Sequence, residues 1–364
     1  MKNHFFVNVL INLPLDKYYT YKVNNKHKRK IEIGSIVSIP FGNNNEIIKG
    51  VVISIINDFK SNYIIKKIID NQNKNVIFTK KQIKFFKWAE EYYLLNLSKI
   101  FHTIIPNNIL EIINNSNIKN QKDNKEIDNN LKELNKFDTY LIKDLSINYT
   151  NLIYRYIKNN KNSKNQFLIL TPNIYYSFEI YKRLKLIYKN QCCVYNSKIS
   201  LKEKQKNWIN IINNKIRIII GVKSAIFLPF NNLKLSIVLN EHENLYKENE
   251  KKLRYNARDC SVMLTKIYNS KTILVSETPS IESYYNVQKR KYGYINNTKN
   301  IKKINLKKVL TINTVEKKIK NKIYGLISDD LFKKIKKNIN KKSKCIIYTP
   351  SSKNIDLINN QLIK

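Results

Sequence analysis

Two tyrosines separated by one residue, Tyr19 and Tyr21, sit in a short β-type run, and a Pro40-Phe41-Gly42 triplet closes a later one. If the two runs meet, three aromatic rings offer faces on which a nucleobase could stack, and Gly42 admits a close backbone approach. Thr20 could add a hydroxyl, a weaker hydrogen-bonding group than a carboxylate. The same residue types also pack small β cores, so a structural reading stands beside the binding one. Elsewhere the chemistry is sparse. His242-Glu243 lacks the second histidine of a zinc-protease helix, and His242 reads as a member of a polar network. Cys192, Cys193, Cys260 and Cys345 contain no Cys-x-x-Cys pair and no matching His spacing, so no metal site is expected.

Phosphate is the ligand that the charge points to. The 364 residues carry 67 Lys+Arg against 27 Asp+Glu, a formal net charge of +40. Such an excess draws polyanions. Only seven of the cations are arginine (Arg29, Arg155, Arg183, Arg217, Arg254, Arg258, Arg290). Lysine meets phosphate as a point charge, whereas reading base edges favours the arginine fork, so DNA binding without sequence specificity is expected. Abundant Asn, Ile, Tyr and Lys beside 6 Gly and 7 Pro are also the products of AT-rich codons, and codon drift accounts for the lysine excess equally well. Hydrophobic residues at 42% and aromatics at 11% describe a folding chain. The few cysteines suit a reducing compartment. No apolar run reaches the roughly 18 residues of a membrane span, and the first fifteen residues lack a small-residue cleavage site. A cytoplasmic protein with no membrane partner is expected.

The elements that must position these residues change character along the chain. Residues 5–11, 18–23, 35–41, 50–56 and 63–69 alternate as strands, giving a small β-rich module. Residues 79–95 carry Ile83, Phe86, Ala89 and Tyr93 at helical spacing behind a Thr79 N-cap. Residues 107–138 are rich in Asn and Lys and read as a polar linker. From residue 139 the apolar runs 167–170, 216–220, 235–239 and 272–275 alternate with helical patterns, one opened by a Ser200/Glu203 capping box. That grammar predicts a parallel α/β sheet. A basic helix over 330–340 and a strand over 344–348 begin a further α/β unit.

Several segments, in order, resemble the bacterial PriA family of replication-restart helicases, which belong to superfamily 2. Residues 14–21, 34–42 and 88–93 (PLDKYYTY, GSIVSIPFG, WAEEYY) resemble the family's domain for a DNA 3′ end. Residues 170–172, 221–225, 254–259 and 276–286 resemble successive motor motifs. The resemblance implies a small β-rich N-terminal DNA-binding domain over 1–106, the linker over 107–138, a RecA-like helicase lobe over 139–304, and a second lobe only begun over 305–364. Tyr19, Thr20, Tyr21, Phe41, Gly42, Lys223 and Ser224 become expected DNA contacts. Thr20 stands where family members commonly place an acidic residue, which would blunt recognition of a strand end.

Departures concentrate at the nucleotide site. A phosphate loop needs glycines, a lysine and a Ser/Thr hydroxyl. At its place the chain reads KDLSINYT over 143–150: Ser146, Asn148, Tyr149 and Thr150 remain as a degenerate ATP site, with Tyr149 in place of lysine and no glycine. The Asp-Glu-Glu-His motif corresponds to Leu239-Asn240-Glu241-His242, which puts Leu239 at the metal-binding aspartate and Asn240 at the base. An amide accepts no proton at neutral pH. The segment 107–138 is too short and polar for the family's winged helix, and the family's zinc insertion and second-lobe arginine would lie beyond Lys364. The expectation is a DNA-binding protein of replication restart, acting at forks and 3′ ends beside other replication proteins, with no cofactor and no helicase activity. The alternative is an ATP- and magnesium-dependent 3′ to 5′ helicase completed by another polypeptide.

Overall fold

Alternating apolar residues near the N-terminus form four antiparallel strands: β1 (Phe5–Ile11), β2 (Tyr19–Val23), β3 (Ile36–Phe41) and β4 (Glu46–Ile56). The computed structural model describes residues 5–15, 17–24, 31–57, 59–69, 76–94, 96–114, 134, 136–143, 149–158, 164–249, 253–297, 323–324, 326–349, 351 and 353–363. The sheet runs β2-β1-β4-β3. Every residue of β1 is buried, because one face packs on Tyr21, Val23, Ile39 and Val52 while Leu10 on the other joins a larger core. Residues 63–69 are not the expected strand. Lys22 N donates to Lys66 O, Ile68 N to Lys22 O and Ile69 N to Ser38 O, so the segment crosses from edge strand β2 to edge strand β3. It curls the sheet and satisfies both edges rather than extending either.

Next come α1 (Lys80–Tyr92), capped by the Thr79 side chain accepting from Gln82 N, then α2 (Leu97–Ile104) and α3 (Ile109–Asn114). The last of these falls in the stretch expected to be linker. Ile109, Leu110 and Ile113 sit one helical turn apart and are buried, which is enough to hold a short helix against the core. Residues 115–133 lie outside the described residues.

The predicted parallel sheet has seven strands: β5 (Thr139–Lys143), β6 (Gln166–Leu170), β7 (Cys192–Tyr195), β8 (Ile218–Gly221), β9 (Leu233–Leu239), β10 (Lys271–Ser276) and β11 (Gly293–Asn296). Their order is β11-β5-β10-β9-β6-β8-β7, and every pairing is parallel. Helices α4 (Tyr149–Ile157), α5 (Ile174–Tyr188), α6 (Leu201–Ile212), α7 (Ala257–Tyr268) and α8 (Ile281–Gln288) connect them. Leu168, Leu170, Val238 and Leu274 face one core, Phe167, Ile169, Ile237 and Ile273 the other. Such burial on both faces explains why these strands read as continuous apolar runs.

The first core also contains Phe78, Phe85 and Phe86, with Phe85 packing on Phe227 at 5.8 Å between ring centroids. Polar contacts reinforce that junction: Tyr268 Oη donates to Gln82 Oε1 and Phe230 O, and Asn256 N donates to Tyr93 Oη. Met1–Ile301 accordingly form one compact unit, and Lys302–Lys364 a second. In the second, Ile323–Tyr324 pairs antiparallel with Ile327–Ser328 ahead of a helix, Asp329–Asn340, and a further helix spans Lys353–Ile363. The strand expected over 344–348 is not formed. Residues 343–349 have no regular structure, and Ile346 and Tyr348 are exposed, because no neighbouring strand supplies hydrogen-bond partners.

Candidate nucleic-acid interface

Strand pairing brings the aromatic residues together. Tyr19 and Tyr21 lie opposite Val9 and Val7, and β3 delivers Phe41 to the same side of the curled sheet. The Tyr19 and Phe41 rings meet edge-on, 5.1 Å between centroids at 81°. They border a cavity of about 390 Å³, walled also by Lys17, Tyr63, Ile65 and Lys66. Burial, with Tyr19 beside it, pushes the Tyr21 phenol up to about 12. It therefore stays neutral, and donates to Pro40 O at 3.1 Å.

Two of the expected contact residues also have structural roles of their own here. Thr20 lines it, but its hydroxyl donates to Asn8 Oδ1 at 2.8 Å, and Asn8 in turn donates to Ser54. Successive strand residues point to opposite faces, so neighbours of Tyr19 and Tyr21 on β2 turn away from them. Gly42 also lines the cavity, and a Cβ there would meet no atom of the chain within 4 Å. Its φ of +71° is the reason for glycine, since the hairpin between β3 and β4 turns through the left-handed region. Lys66, which sequence spacing did not connect with the tyrosines, donates to Gly42 O at 2.7 Å. Only the crossing of residues 63–69 brings it there.

At the ends of the parallel strands the other expected residues separate. Gly221 closes β8, where an added Cβ would lie 2.4 Å from that of Ala225 and 2.7 Å from Tyr195 O, so the following turn needs glycine. Lys223 and Ser224 begin that turn. Lys223 Nζ lies 3.3 Å from the buried Glu248 carboxylate. Half-buried Ser224 lines a second cavity, of about 170 Å³, with Asn196, Ser197 and Lys204. Lys223 is thus already partly neutralised by its own chain.

Of the residues expected at the nucleotide site, Ser146 and Asn148 lie outside the described residues. Tyr149 and Thr150 open α4. The buried Tyr149 hydroxyl donates to Asn240 Oδ1, so the two residues standing for the loop lysine and the base bond each other. Asn240 turns the chain after β9 at φ +51°, a left-handed conformation that Asn tolerates better than most residues. Leu239 is buried in the core. His242 Nδ1 pairs with Ser276 Oγ at 2.7 Å, joining the ends of β9 and β10 as a polar-network residue.

Glu241 has a role that the sequence did not reveal. Fully buried, it accepts from Ser280 N at 2.7 Å, Ser280 Oγ at 2.9 Å, Ser283 Oγ at 2.8 Å and Arg258 Nη1 at 3.3 Å. Burial alone would lower the Arg258 guanidinium, but Asp259, Glu241 and Glu282 outweigh it and raise its pKa. This carboxylate holds the N-terminus of α8 to the strand ends. Glu241→Ala should cost roughly 1–3 kcal/mol, because the Ser280 and Ser283 donors lose their buried acceptor while Arg258 keeps Asp259. Urea unfolding would measure it against Glu243→Ala, a more exposed neighbour expected to cost about 0.5 kcal/mol or less. Equal midpoints for the two variants would refute the structural role.

Among the described residues, no group of three or more His, Cys, Asp or Glu is placed to hold a metal, and no helix is long and apolar enough to cross a membrane. A curled antiparallel sheet with an aromatic cavity, joined to a seven-stranded parallel α/β lobe, is the class of protein these features define. Residues 8–106 match the PriA 3′DNA-binding domain (3′BD). Over 347 residues the chain is 27% identical to Replication restart protein PriA of Rickettsia prowazekii, covering 92% of this chain and 52% of that protein. With the Helicobacter pylori (strain J99) protein of the same name it shares 26% over 343 residues, covering 92% and 51%. RecG bound to a three-way DNA junction matches over 59% of this chain and 29% of its own, at 17% identity and a TM-score of 0.34. Over 92% of its length the chain is thus similar to PriA replication-restart proteins, and it spans about half the length of the curated relatives it matches.

Proposed function

We propose that this chain binds DNA at strand ends and forks in replication restart, and that it does not itself drive unwinding with ATP. One observation carries the reading: the Tyr19–Phe41 cavity, open at its aromatic rings and flanked by Lys17 and Lys66, lies within the segment that matches the 3′DNA-binding domain. Its volume of about 390 Å³ can admit a terminal base and sugar. The rings supply stacking surface, and the lysines supply charge for the adjoining phosphate. Replication proteins as partners, and a cytoplasmic site of action, belong to the same proposal. They are supported by the similarity to PriA replication-restart proteins.

Stacking contributes about 1–3 kcal/mol per base, so Tyr19→Ala or Phe41→Ala should weaken binding to a fork with a free 3′ end by about tenfold. Binding to a fork whose 3′ end is closed by a hairpin should change little. Fluorescence anisotropy on the two forks makes the comparison. Equal losses on both would remove the end-binding role.

A further inference from the structure

Away from that cavity, a second surface combines aromatic rings with a run of cations. On α8, Ile281 is 85% exposed, Tyr284 49% and Tyr285 53%, and Tyr294 on β11 is 41% exposed. Only Ser283 of that helix is buried, so the apolar side chains on its outer side do not serve the core. The Tyr284 and Tyr294 rings stand edge-on, 6.5 Å between centroids, and form one platform. Helical spacing aligns Ile281, Tyr285 and Lys289 in a second stripe, with Lys289 Nζ 5.5 Å from the Tyr285 ring centre.

Lys289, Arg290 and Lys291 follow in sequence, and all three are exposed. The acidic group on the same helix, Glu282, has Arg258 Nη1 at 3.8 Å, and its carboxyl is held below the usual range by its own backbone N–H and by Arg258. The cations therefore face outward with little local neutralisation. Among the described residues β11 pairs only with β5 and forms the edge of the sheet, with no further strand over Tyr294.

We propose that α8 and the start of β11 form a second nucleic-acid contact, one that takes single-stranded DNA away from its ends. Tyr284 and Tyr285 stack bases, while Lys289, Arg290 and Lys291 meet the phosphates that connect them. The rings select the ligand: three adjacent cations attract an acidic protein or an anionic membrane equally well, but exposed rings beside them match unpaired bases. The contact is independent of the strand-end cavity, since it requires no terminus.

A circular oligothymidylate, which has no ends, isolates it. The full chain should bind the circle, and Tyr284→Leu and Tyr285→Leu, which keep apolar bulk but remove the ring, should each weaken binding by about fivefold or more. Tyr285→Phe should retain most of the affinity, and Tyr19→Ala should leave the circle unaffected. Replacing Lys289, Arg290 and Lys291 together with Ala should flatten the log–log salt slope by about two, at roughly 0.7 per phosphate contact on a single strand. Unchanged circle affinity in both leucine variants would overturn the proposal. So would polyglutamate competing as well as the circle, which would reduce the surface to charge alone. Loss of linear-strand preference with the circle still sensitive to Tyr284 and Tyr285 would overturn the end-binding function and uphold this second contact.

Discussion

Supplied with ATP, magnesium and forked DNA, the purified protein is expected to release no phosphate above background and to separate no strands. Phosphoryl transfer is catalysed by positioning and by neutralising charge on the transferred group. Where the resemblance places a loop lysine and a carboxylate base, the chain has Tyr149 and Asn240, both neutral and hydrogen-bonded to each other. Neither can meet phosphate charge or take a proton. Glu241, the nearest carboxylate in sequence, is consumed by four donors from Ser280, Ser283 and Arg258. Loss of a single oriented electrostatic group commonly lowers a rate by about 10² to 10³. Such losses do not multiply simply, but two of them place turnover below ordinary detection. Tyr149→Lys alone should not restore it, because Asn240 still cannot act as a base. ATP turnover by the unmodified protein that disappears in Thr150→Ala would reverse this expectation and favour the helicase reading.

Affinity for duplex or forked DNA should collapse as salt rises. With 67 Lys+Arg but only seven arginines, binding is expected to depend on phosphate contacts by lysine. Each contact releases counterions, so a footprint of about six phosphates loses roughly 10³-fold in affinity between about 50 and 200 mM salt. A titration of both DNAs across that range gives the slope directly. Absence of binding at the low-salt end would leave the +40 charge as a product of codon drift.

Much of the architecture was legible because long apolar runs and alternating strands announce themselves. β6, β9 and β10 follow from their mostly apolar runs, and α1 from its capped helical spacing. The four- and five-residue strands β5, β7 and β11 were not anticipated, since TYLIK, CCVY and GYIN gain their strand character from parallel neighbours far away in sequence. The cavity was half legible. Tyr19, Tyr21 and Phe41 share a face through strand register, but Lys66 arrives by a crossing that no local pattern encodes. The buried role of Glu241 escaped for a similar reason: its partners lie 17 to 42 residues away in sequence. Tertiary contact, rather than spacing along the chain, decides whether that carboxylate does chemistry or holds structure.

The shared core between α1 and the parallel sheet ties the two parts of Met1–Ile301 together. Gln82, Phe85 and Phe86 are sealed on one side by Phe227 and Tyr268, which the parallel lobe provides. Shorn of that lobe, the module would present an oily flank to water and lose the partners of its buried amide. The parallel lobe therefore serves as a foundation for the N-terminal module, and substitutions at its strand ends that spare this wall should leave standing what rests on it.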